Sequence, residues 1–307
     1  MSTIGICGLG RMGAAMGERL LDERQSLVVW NRTPGRADPL TARGAVAAAS
    51  PSAVAGMVDT IITILSDADA IEQVYAGPQG VLSADLAGRT IIEMSTVRPA
   101  VHVALAERIR AAGGYYVECP VGGTTGPARA GKLLGLAGGE AVDIERARPV
   151  LDLLCRRVAH GGPVGSGAAL KLAVNLPLLV YYQALGEAVT LCQHLGHDPA
   201  WLIELLSDTS GAPAMMKTRG PSIALALAGG NPQPPTFDID LIRKDLRTMV
   251  EEAAVRGTTL PVAARALEVY DGASAAGWGE RDACMLPAWW PQRPSPAVPA
   301  GGQPGED

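Results

Sequence analysis

The stretch Gly5–Leu21 reads GICGLGRMGAAMGERLL, and its glycines at positions 8, 10 and 13 form the pattern G-x-G-x-x-G. Three spaced glycines are a weak signal by themselves, because the chain contains 37 glycines. The surroundings make the pattern informative. The apolar segment TIGIC before it predicts a strand, and RMGAAMGERLLDER after it has the apolar spacing of a helix. Strand, glycine turn and helix in this order are the context in which the pattern binds a dinucleotide.

The alternation of strand and helix continues along the first half of the chain. The segments predicted as further strands are SLVVWN, AVAA, DTIITIL, RTIIEMS and YYVECPV, with helical segments between them. Such alternation predicts βαβ units and therefore a parallel sheet with helices on both faces. The fold class is thus α/β, with an N-terminal Rossmann domain built on a doubly wound parallel sheet. Ligands of such sheets bind at the carboxyl ends of the strands.

The pattern changes after residue 162. GSGAALKLAVNLPLLVYYQALGEAVTLCQHLG is one long apolar stretch of helical character, and more helical segments follow it without an evident strand. The sequence therefore predicts a cofactor-binding Rossmann domain over 1–162 and an all-α substrate and dimerisation domain over 163–286, entered by a long interdomain helix. Pro177 lies inside that helix and predicts a kink, because proline removes one backbone hydrogen bond. Residues 287–307, rich in Pro and Gly, are predicted to be a disordered tail.

Composition and charge narrow the functional classes. The net charge is −5 and no basic block occurs, so neither nucleic acid nor an anionic membrane is an expected partner. No signal peptide and no membrane span stand out, which favours a cytoplasmic protein. The five cysteines are scattered without a C-x-x-C pair, and the four histidines form no H-E-x-x-H. We therefore expect reduced thiols and no metal site.

Each glycine of the first turn has a distinct expected role. Gly8 permits the tight turn, Gly10 lets backbone N–H groups approach a pyrophosphate, and Gly13 allows the helix to pack closely on the strand. The N-terminus of the helix adds a partial positive charge that favours the phosphates.

The end of the second predicted strand indicates which nicotinamide cofactor is preferred. An NAD site usually places Asp or Glu there to bind the ribose 2′-hydroxyl, whereas this chain reads Asn31, Arg32, Thr33. No carboxylate would repel a 2′-phosphate at this point, and Arg32 can form an ion pair with it. The sequence therefore predicts NADP, with NADPH preferred over NADH.

Five ordered motifs resemble the β-hydroxyacid dehydrogenase family over roughly residues 3–286. GLGRMGAAM is similar to the family's opening cofactor motif, and EMSTVRP to its D-x-S-T turn, with Glu93 in place of Asp. CPVGGTTGPARAGKLLGLAGG resembles its substrate loop, GSGAALKLAVN its G-x-G-x-x-x-K-x-x-x-N motif, and FDIDLIRKDL its K-D-L segment. The KLxVN variant is also found in the family's NADPH-dependent glyoxylate/succinic semialdehyde reductases, to which the motifs are most similar.

The resemblance implies a role for each matching residue. Lys171 would be the catalytic acid/base, and Asn175, one helical turn later, would orient the substrate. A lysine ammonium suits this reaction because it stabilises negative charge that develops on a carbonyl oxygen and donates a proton to it. The other implied cofactor-binding residues are Arg11, Met12, Leu65, Ser66, Thr96 and Lys244, and the implied substrate-binding residues are Gly122, Gly123, Thr124 and Phe237.

One departure from the family concerns the substrate. Gly122 stands where the family usually has Ser, which leaves backbone N–H groups of Gly122, Gly123 and Thr124, with the Thr124 hydroxyl, to bind an acidic group. A PVG loop also occurs in the family's sulfolactaldehyde reductases, so that group need not be a carboxylate.

The expected function is an NADP(H)-dependent oxidoreductase that interconverts a small hydroxyacid and its semialdehyde. An imine reductase on the same scaffold is an alternative, although imine reductases usually replace the catalytic lysine. A sulfolactaldehyde-type reductase is another alternative, and a non-catalytic Rossmann binding protein is the least favoured one. The long apolar helix exceeds what one small domain can bury, so we expect a homodimer or homotetramer.

Overall fold

The structure is a computed structural model that describes residues 3–290, and these residues form two compact units. The first unit contains the described residues up to Pro177 together with Arg247–Thr259, and the second contains Leu178–Leu246 and the described residues from Leu260 onwards.

The first unit is built on a six-stranded parallel sheet with the order β3-β2-β1-β4-β5-β6. Its strands are β1 (Thr3–Cys7), β2 (Ser26–Trp30), β3 (Val46–Ala47), β4 (Thr60–Thr63), β5 (Thr90–Glu93) and β6 (Tyr115–Glu118). The central strands are short apolar runs whose residues are buried, as expected for a parallel sheet covered by helices on both faces. The predicted α/β fold class is confirmed.

Helices connect these strands and cover the sheet. They are α1 (Arg11–Asp22), α2 (Asp38–Thr41), α3 (Pro51–Met57), α4 (Ala68–Ala76) and α5 (Pro99–Ala111). The strand order reverses between β1 and β4, which is the point where ligands bind in sheets of this type. The glycine turn after β1 and the loop after β4 therefore lie side by side.

A second, three-stranded sheet follows β6, and the alternation in the sequence does not predict it. It consists of β7 (Val121–Gly122), β8 (Leu133–Ala137) and β9 (Cys155–His160) in that order, with α6 (Thr125–Arg129) and α7 (Ala141–Leu154) between them. β7 holds only two residues, one of them glycine, and β9 reads CRRVAH and is partly exposed. Neither strand therefore has the apolar pattern by which strands are recognised.

The predicted long helix is α8 (Ser166–Cys192), and Pro177 does not end it. By length and composition alone this helix could cross a membrane, a criterion that core helices of soluble proteins also meet. The compact units divide at Pro177 rather than at 162, because the first turn of α8 is bound to the end of β6 through Glu118. Residues 247–259 join the first unit, where Glu252 forms an ion pair with Arg98.

The described part of the second unit contains helices and no strand. Its helices, besides the second half of α8, are α9 (Pro199–Ser207), α10 (Met216–Leu227), the first half of α11 (Ile239–Val255), α12 (Pro261–Ala273) and α13 (Leu286–Trp289).

The prediction of a disordered tail from residue 287 is wrong for its first four residues. Pro287 and Trp289 belong to α13, and Trp289 and Trp290 are buried. The physical reason is close packing: a Cβ atom on Gly186 of α8 would lie 3.0 Å from the Cβ of Trp290. Two large aromatic side chains supply enough apolar area to order a segment whose prolines suggest a loop. The rest of the predicted tail, 291–307, lies outside the described residues.

Candidate active site

The glycine turn after β1 has the geometry of a phosphate-binding turn. Gly8 has φ +103°, and a Cβ there would overlap the carbonyl oxygen of Ile64. A Cβ on Gly13 would overlap the carbonyl oxygen of Gly8. Gly10 is different, because a Cβ there would meet no atom within 4 Å. Gly10 is also the N-cap of α1, so no side chain of its own can cap the first turn that includes Arg11 and Met12.

Asn31, at the end of β2, is held by two hydrogen bonds. Its Oδ1 accepts the backbone N–H of Leu9 at 2.8 Å, and its Nδ2 donates to the carbonyl oxygen of Thr33 at 3.0 Å. Asn31 therefore joins the glycine turn to the segment with Arg32 and Thr33, both of which are exposed. Its side-chain oxygen already has a donor, whereas the carboxylate of an NAD site accepts from the ribose.

The loops after β4 and β5 are tied together by a buried polar network. The N–H of Leu65 donates to Ser95 Oγ at 2.7 Å, and the N–H of Ser95 donates to Glu93 Oε1 at 2.7 Å. Thr63 donates its hydroxyl to Glu93 Oε2 at 2.5 Å and lies 2.6 Å from the Tyr75 hydroxyl. These hydrogen bonds fix the backbone of both loops at the carboxyl ends of β4 and β5.

Glu93 is the centre of this network. Its complete burial raises the pKa of its carboxyl, and hydrogen bonds from Ser95 and Thr63 oppose that rise. The two predicted site residues beside it are Ser66, whose hydroxyl donates to Asp67, and Thr96, which is half-buried. The sequence marks Glu93 only as a departure from the family's Asp; its place beneath both loops emerges from the structure.

The substrate loop predicted at 122–124 begins on the two-residue strand β7. A Cβ on Gly122 would lie 3.6 Å from the Cβ of Leu134, an ordinary contact, so the backbone does not require glycine there. Gly123 differs, because its φ is +126° and a Cβ would lie 2.8 Å from Leu133. Thr124 is the N-cap of α6, and its side chain makes no capping hydrogen bond there.

Lys171 and Asn175 lie one turn apart on α8 and contact each other. Lys171 Nζ donates to Asn175 Oδ1 at 2.9 Å, and the two residues are 7% and 8% exposed. A buried lysine with a hydrogen-bonded amide is preorganised, because the ammonium keeps one direction and loses little further freedom on binding. Lys171 and Asn175 thus share one face of the helix, as their spacing predicts.

Glu118 is a buried carboxylate that the sequence analysis missed. It is the last residue of β6, and its Oε1 accepts the N–H groups of Gly165 and Gly167 at the start of α8, each at 2.7 Å. The signal that would have drawn attention to it is a lone charge at the end of the apolar segment YYV, directly before Cys-Pro.

Two predicted site residues lie in the second unit. Lys244, on α11, forms an ion pair with the neighbouring Asp245, with Nζ 2.7 Å from Oδ1. Phe237 is half-buried, and its carbonyl oxygen accepts the N–H of Ala283 at 2.9 Å. Their roles at the nicotinamide and over the substrate remain predictions.

The arrangement fits a nicotinamide dinucleotide. Gly10 leaves a side of the turn open where a Cβ would otherwise stand, and the N-terminus of α1 presents backbone N–H groups that suit a pyrophosphate. Among residues 3–290, no group of three or more His, Cys, Asp or Glu side chains is placed to hold a metal ion.

Comparison with known proteins agrees with this geometry. Residues 3–162 match the family described as the NAD binding domain of 6-phosphogluconate dehydrogenase, and residues 165–289 match the family described as NAD-binding of NADP-dependent 3-hydroxyisobutyrate dehydrogenase. The chain is 34% identical to glyoxylate/succinic semialdehyde reductase 1 of Arabidopsis thaliana, covering 91% of this chain and 95% of the relative.

Two further similarities extend over more than nine tenths of the chain. The chain is 32% identical to 3-sulfolactaldehyde reductase of Escherichia coli, covering 92% of this chain and 93% of the relative. The crystal structure of a 3-hydroxyisobutyrate dehydrogenase from Salmonella typhimurium is 27% identical and superposes with a TM-score of 0.84, covering 94% of this chain and 99% of that one. Fold, motifs and relatives agree: the chain belongs to the β-hydroxyacid dehydrogenase family and is an NAD(P)-dependent oxidoreductase acting on CH–OH groups.

Proposed function

We propose that this chain is an NADPH-dependent reductase of small aldehyde acids that runs reversibly as a 3-hydroxyacid dehydrogenase. The observation that carries the proposal is the buried hydrogen bond from Lys171 Nζ to Asn175 Oδ1. It holds a proton donor in a fixed direction on a helix of the unit that contains the dinucleotide turn.

Lys171 and Asn175 have different roles in the proposed reaction. When bound, the nicotinamide supplies a hydride to the carbonyl carbon. Lys171 donates a proton to the carbonyl oxygen and stabilises the negative charge that develops there. Asn175 orients the ammonium through its side-chain oxygen, and its amide group can donate to the substrate. Hydride and proton together convert the aldehyde to the alcohol, and the reverse reaction returns the proton to Lys171.

The preference for NADPH rests on the end of β2. Neither Asn31 nor its two successors carries a negative charge, and Arg32 and Thr33 are exposed where a 2′-phosphate would need donors. The match of residues 165–289 to the NADP-dependent 3-hydroxyisobutyrate dehydrogenase description also supports this preference. We expect Arg32→Ala to weaken NADPH binding about tenfold or more, the loss of one charge-assisted contact, and to leave NADH binding unchanged.

Gly122 favours a second candidate substrate class, the sulfonate-bearing aldehydes. The serine expected at this position is replaced, so backbone N–H groups and Thr124 would bind the acidic group. A relative at 32% identity is a 3-sulfolactaldehyde reductase, which supports this class for the present chain. Because a Cβ at Gly122 makes only an ordinary contact, Gly122→Ser is a mild variant with which to compare carboxylate and sulfonate substrates.

The experiment that tests the proposal is NADPH oxidation against a panel of carbonyl compounds, with NADH in parallel. The panel contains glyoxylate, succinic semialdehyde, methylmalonate semialdehyde, tartronate semialdehyde, sulfolactaldehyde and a cyclic imine. We expect aldehyde turnover with NADPH, and a fall in kcat of about 10²–10⁴-fold in Lys171→Ala. The control is Lys217→Ala, an exposed lysine of α10, which should leave kcat within twofold.

Either of two results would contradict the proposal. Turnover of the imine alone would favour an imine reductase. Aldehyde reduction that is unaffected by Lys171→Ala would assign the proton transfer to another group.

A further inference from the structure

Glu118 occupies the N-terminus of the helix that carries Lys171 and Asn175. One carboxylate oxygen accepts the N–H groups of Gly165 and Gly167, which flank the first residue of α8. Carboxylates at this position are stabilised by the helix dipole and by charge-assisted hydrogen bonds. These N–H groups at the N-terminus of α8 are therefore already hydrogen-bonded to the Glu118 side chain.

The same residue leads directly into the substrate loop. Glu118 ends β6, and Val121 and Gly122 follow as β7 after Cys119-Pro120. The backbone of Glu118 is fixed as well, since its N–H donates to Gly138 at 3.1 Å and its carbonyl oxygen accepts from Gly138 at 3.0 Å. Glu118 thus joins the segment predicted to bind the substrate's acidic group to the helix with the predicted proton donor.

The space around the carboxylate is tightly filled. A Cβ on Gly138 would overlap Glu118 Oε1, and a Cβ on Gly167 would overlap the carbonyl oxygen of Leu136 on β8. Since α8 advances one turn in about four residues, Lys171 lies one turn beyond Gly167. A displacement at the first turn would be carried to Lys171 by the helix.

The other carboxylate oxygen lies in a different environment. Among the described residues, Glu118 Oε2 has no hydrogen-bond partner, and it lies 3.6 Å from His102 Nδ1 of α5. His102 Nδ1 is 2.8 Å from the Tyr116 hydroxyl, and burial lowers the pKa of His102 to about 4, so the imidazole is neutral near pH 7. No cation among these neighbours compensates the Glu118 charge.

The other titratable groups near Glu118 either stay neutral or are hydrogen-bonded to other partners. Tyr116 and Cys119 are fully buried, and burial raises both pKa values well above the neutral range. At the start of α8 and just after β8 the carboxylate is faced by the backbone of Gly165, Gly167 and Gly138. His160 of β9 is bonded to the carbonyl oxygens of Gly139 and Gly162 instead. Burial of Glu118 itself raises the pKa of its carboxyl to about 7, with the N–H groups of Gly167 and Gly165 opposing the rise.

We propose that Glu118 is a positioning residue: in its ionised form it fixes the first turn of α8 to the end of β6, so that Lys171 and Asn175 are held in register with the substrate loop. The inference rests on the proposed function, since it assigns to Glu118 a role through Lys171. Protonation weakens both hydrogen bonds from α8, because a neutral carboxyl is a poorer acceptor than a carboxylate.

Activity and stability should depend on the Glu118 proton in opposite directions. As the pH rises through about 7, the carboxylate forms and kcat of aldehyde reduction should increase. The folded chain holds this proton more tightly than the unfolded chain, whose carboxyl has an ordinary pKa of 4.5. Stability from this group is therefore complete below pH 4.5 and is lost as the pH rises towards 7, so the Tm should fall over this range.

The experiment compares the wild type with Glu118→Gln, Glu118→Asp and Asp143→Asn. Glutamine keeps the size and one acceptor oxygen but removes the charge, whereas aspartate keeps the charge on a shorter side chain. Asp143→Asn is the matched control, because Asp143 is a buried carboxylate of the same unit that lies 3.9 Å from Arg110 and is not bonded to α8. The measurements are kcat and KM from pH 5 to 9, the Tm from pH 4 to 9, and NADPH binding without substrate.

We expect Glu118→Gln to lower kcat at pH 8 at least tenfold, to abolish the rise of kcat near pH 7, and to leave the Kd for NADPH within twofold. Its Tm should lose the fall between pH 4.5 and 7. Glu118→Asp should keep a rise of kcat with pH, and Asp143→Asn should keep the wild-type kcat and its rise with pH. The Tm comparison is confined to the wild type and the Glu118 variants, because burial also raises the pKa of the Asp143 carboxyl. A wild type whose kcat shows no acidic limb near neutrality would overturn the proposal without any variant.

A further measurement separates this proposal from the proposed function. If the wild type reduces no aldehyde, hydrogen exchange of the segment 161–172 still tests the role of Glu118. We expect the amides at the start of α8 to exchange at least tenfold faster in Glu118→Gln than in the wild type at pH 8. Unchanged exchange in a folded Glu118→Gln protein would show that the carboxylate does not fix the helix.

Discussion

At the scale of single residues, the glycines of the first turn fall into two kinds. Gly8 and Gly13 are required by packing, because a Cβ at either position would overlap a backbone carbonyl oxygen. Gly10 is not required by the fold, since a Cβ there would point into open space. Their spacing in the sequence predicts these roles. The bond from Leu9 to Asn31 was not predictable in the same way, because it depends on two loop ends that are distant in sequence.

This division predicts opposite effects for two alanine substitutions. Gly13→Ala should destabilise the fold by about 1–3 kcal/mol or more, because the new methyl group meets backbone that cannot move away cheaply. Gly10→Ala should change stability by less than about 1 kcal/mol, since alanine accepts its φ of −66°, but it should weaken NADPH binding at least about tenfold. Urea unfolding and fluorescence titration with NADPH measure the two quantities. Wild-type affinity in Gly10→Ala would mean that the phosphates do not approach this side of the turn.

At the scale of elements, the predictions hold where one pattern extends over many residues. The strands β1, β2, β4, β5 and β6 and the helix α8 are predictable because apolar runs or helical spacing persist along them. The two-residue strand β3 is predictable only from the strand–helix alternation around it. Three other short elements were missed: β7 has two residues, β9 is rich in arginine, and α13 contains a proline. Each of these is stabilised by contacts with segments remote in sequence, and periodicity carries no information about such contacts. Glu118 was missed for the same reason.

The packing of α13 gives a prediction at this scale. Trp290 is 5% exposed and lies against Gly186 of α8, so Trp290→Ala should destabilise the second unit by about 3–5 kcal/mol. Trp201→Ala is the matched control, because Trp201 is 48% exposed and should contribute less than about 1 kcal/mol. The measurement is urea unfolding followed by circular dichroism. Equal midpoints for the two variants would show that the residues after Leu286 do not stabilise the unit.

At the scale of the whole molecule, the sequence predicted two domains and the order in which they follow each other. It placed their boundary before the long helix, whereas the compact units divide within that helix and residues 247–259 return to the first unit. The return depends on α11, whose last turns carry Glu252 to Arg98. The sequence pattern does not predict such a division, because the first unit is made of two stretches that are separated along the chain.

The long helix also leads to a prediction about assembly. Large apolar side chains remain exposed along α8 and the turn after it, with Leu191 80% and Leu195 55% exposed. The two leucines are four residues apart, and large exposed apolar side chains at such spacing are typical of interaction sites, so we expect at least a homodimer. Light scattering after size exclusion should give at least twice the mass of one chain. The double variant Leu191→Glu and Leu195→Glu should lower that mass, because it introduces charges into the contact. Val46→Glu, at a comparably exposed valine of β3, should leave the mass unchanged. A wild type that elutes with the mass of one chain would contradict the prediction, and the exposed leucines would then need another partner.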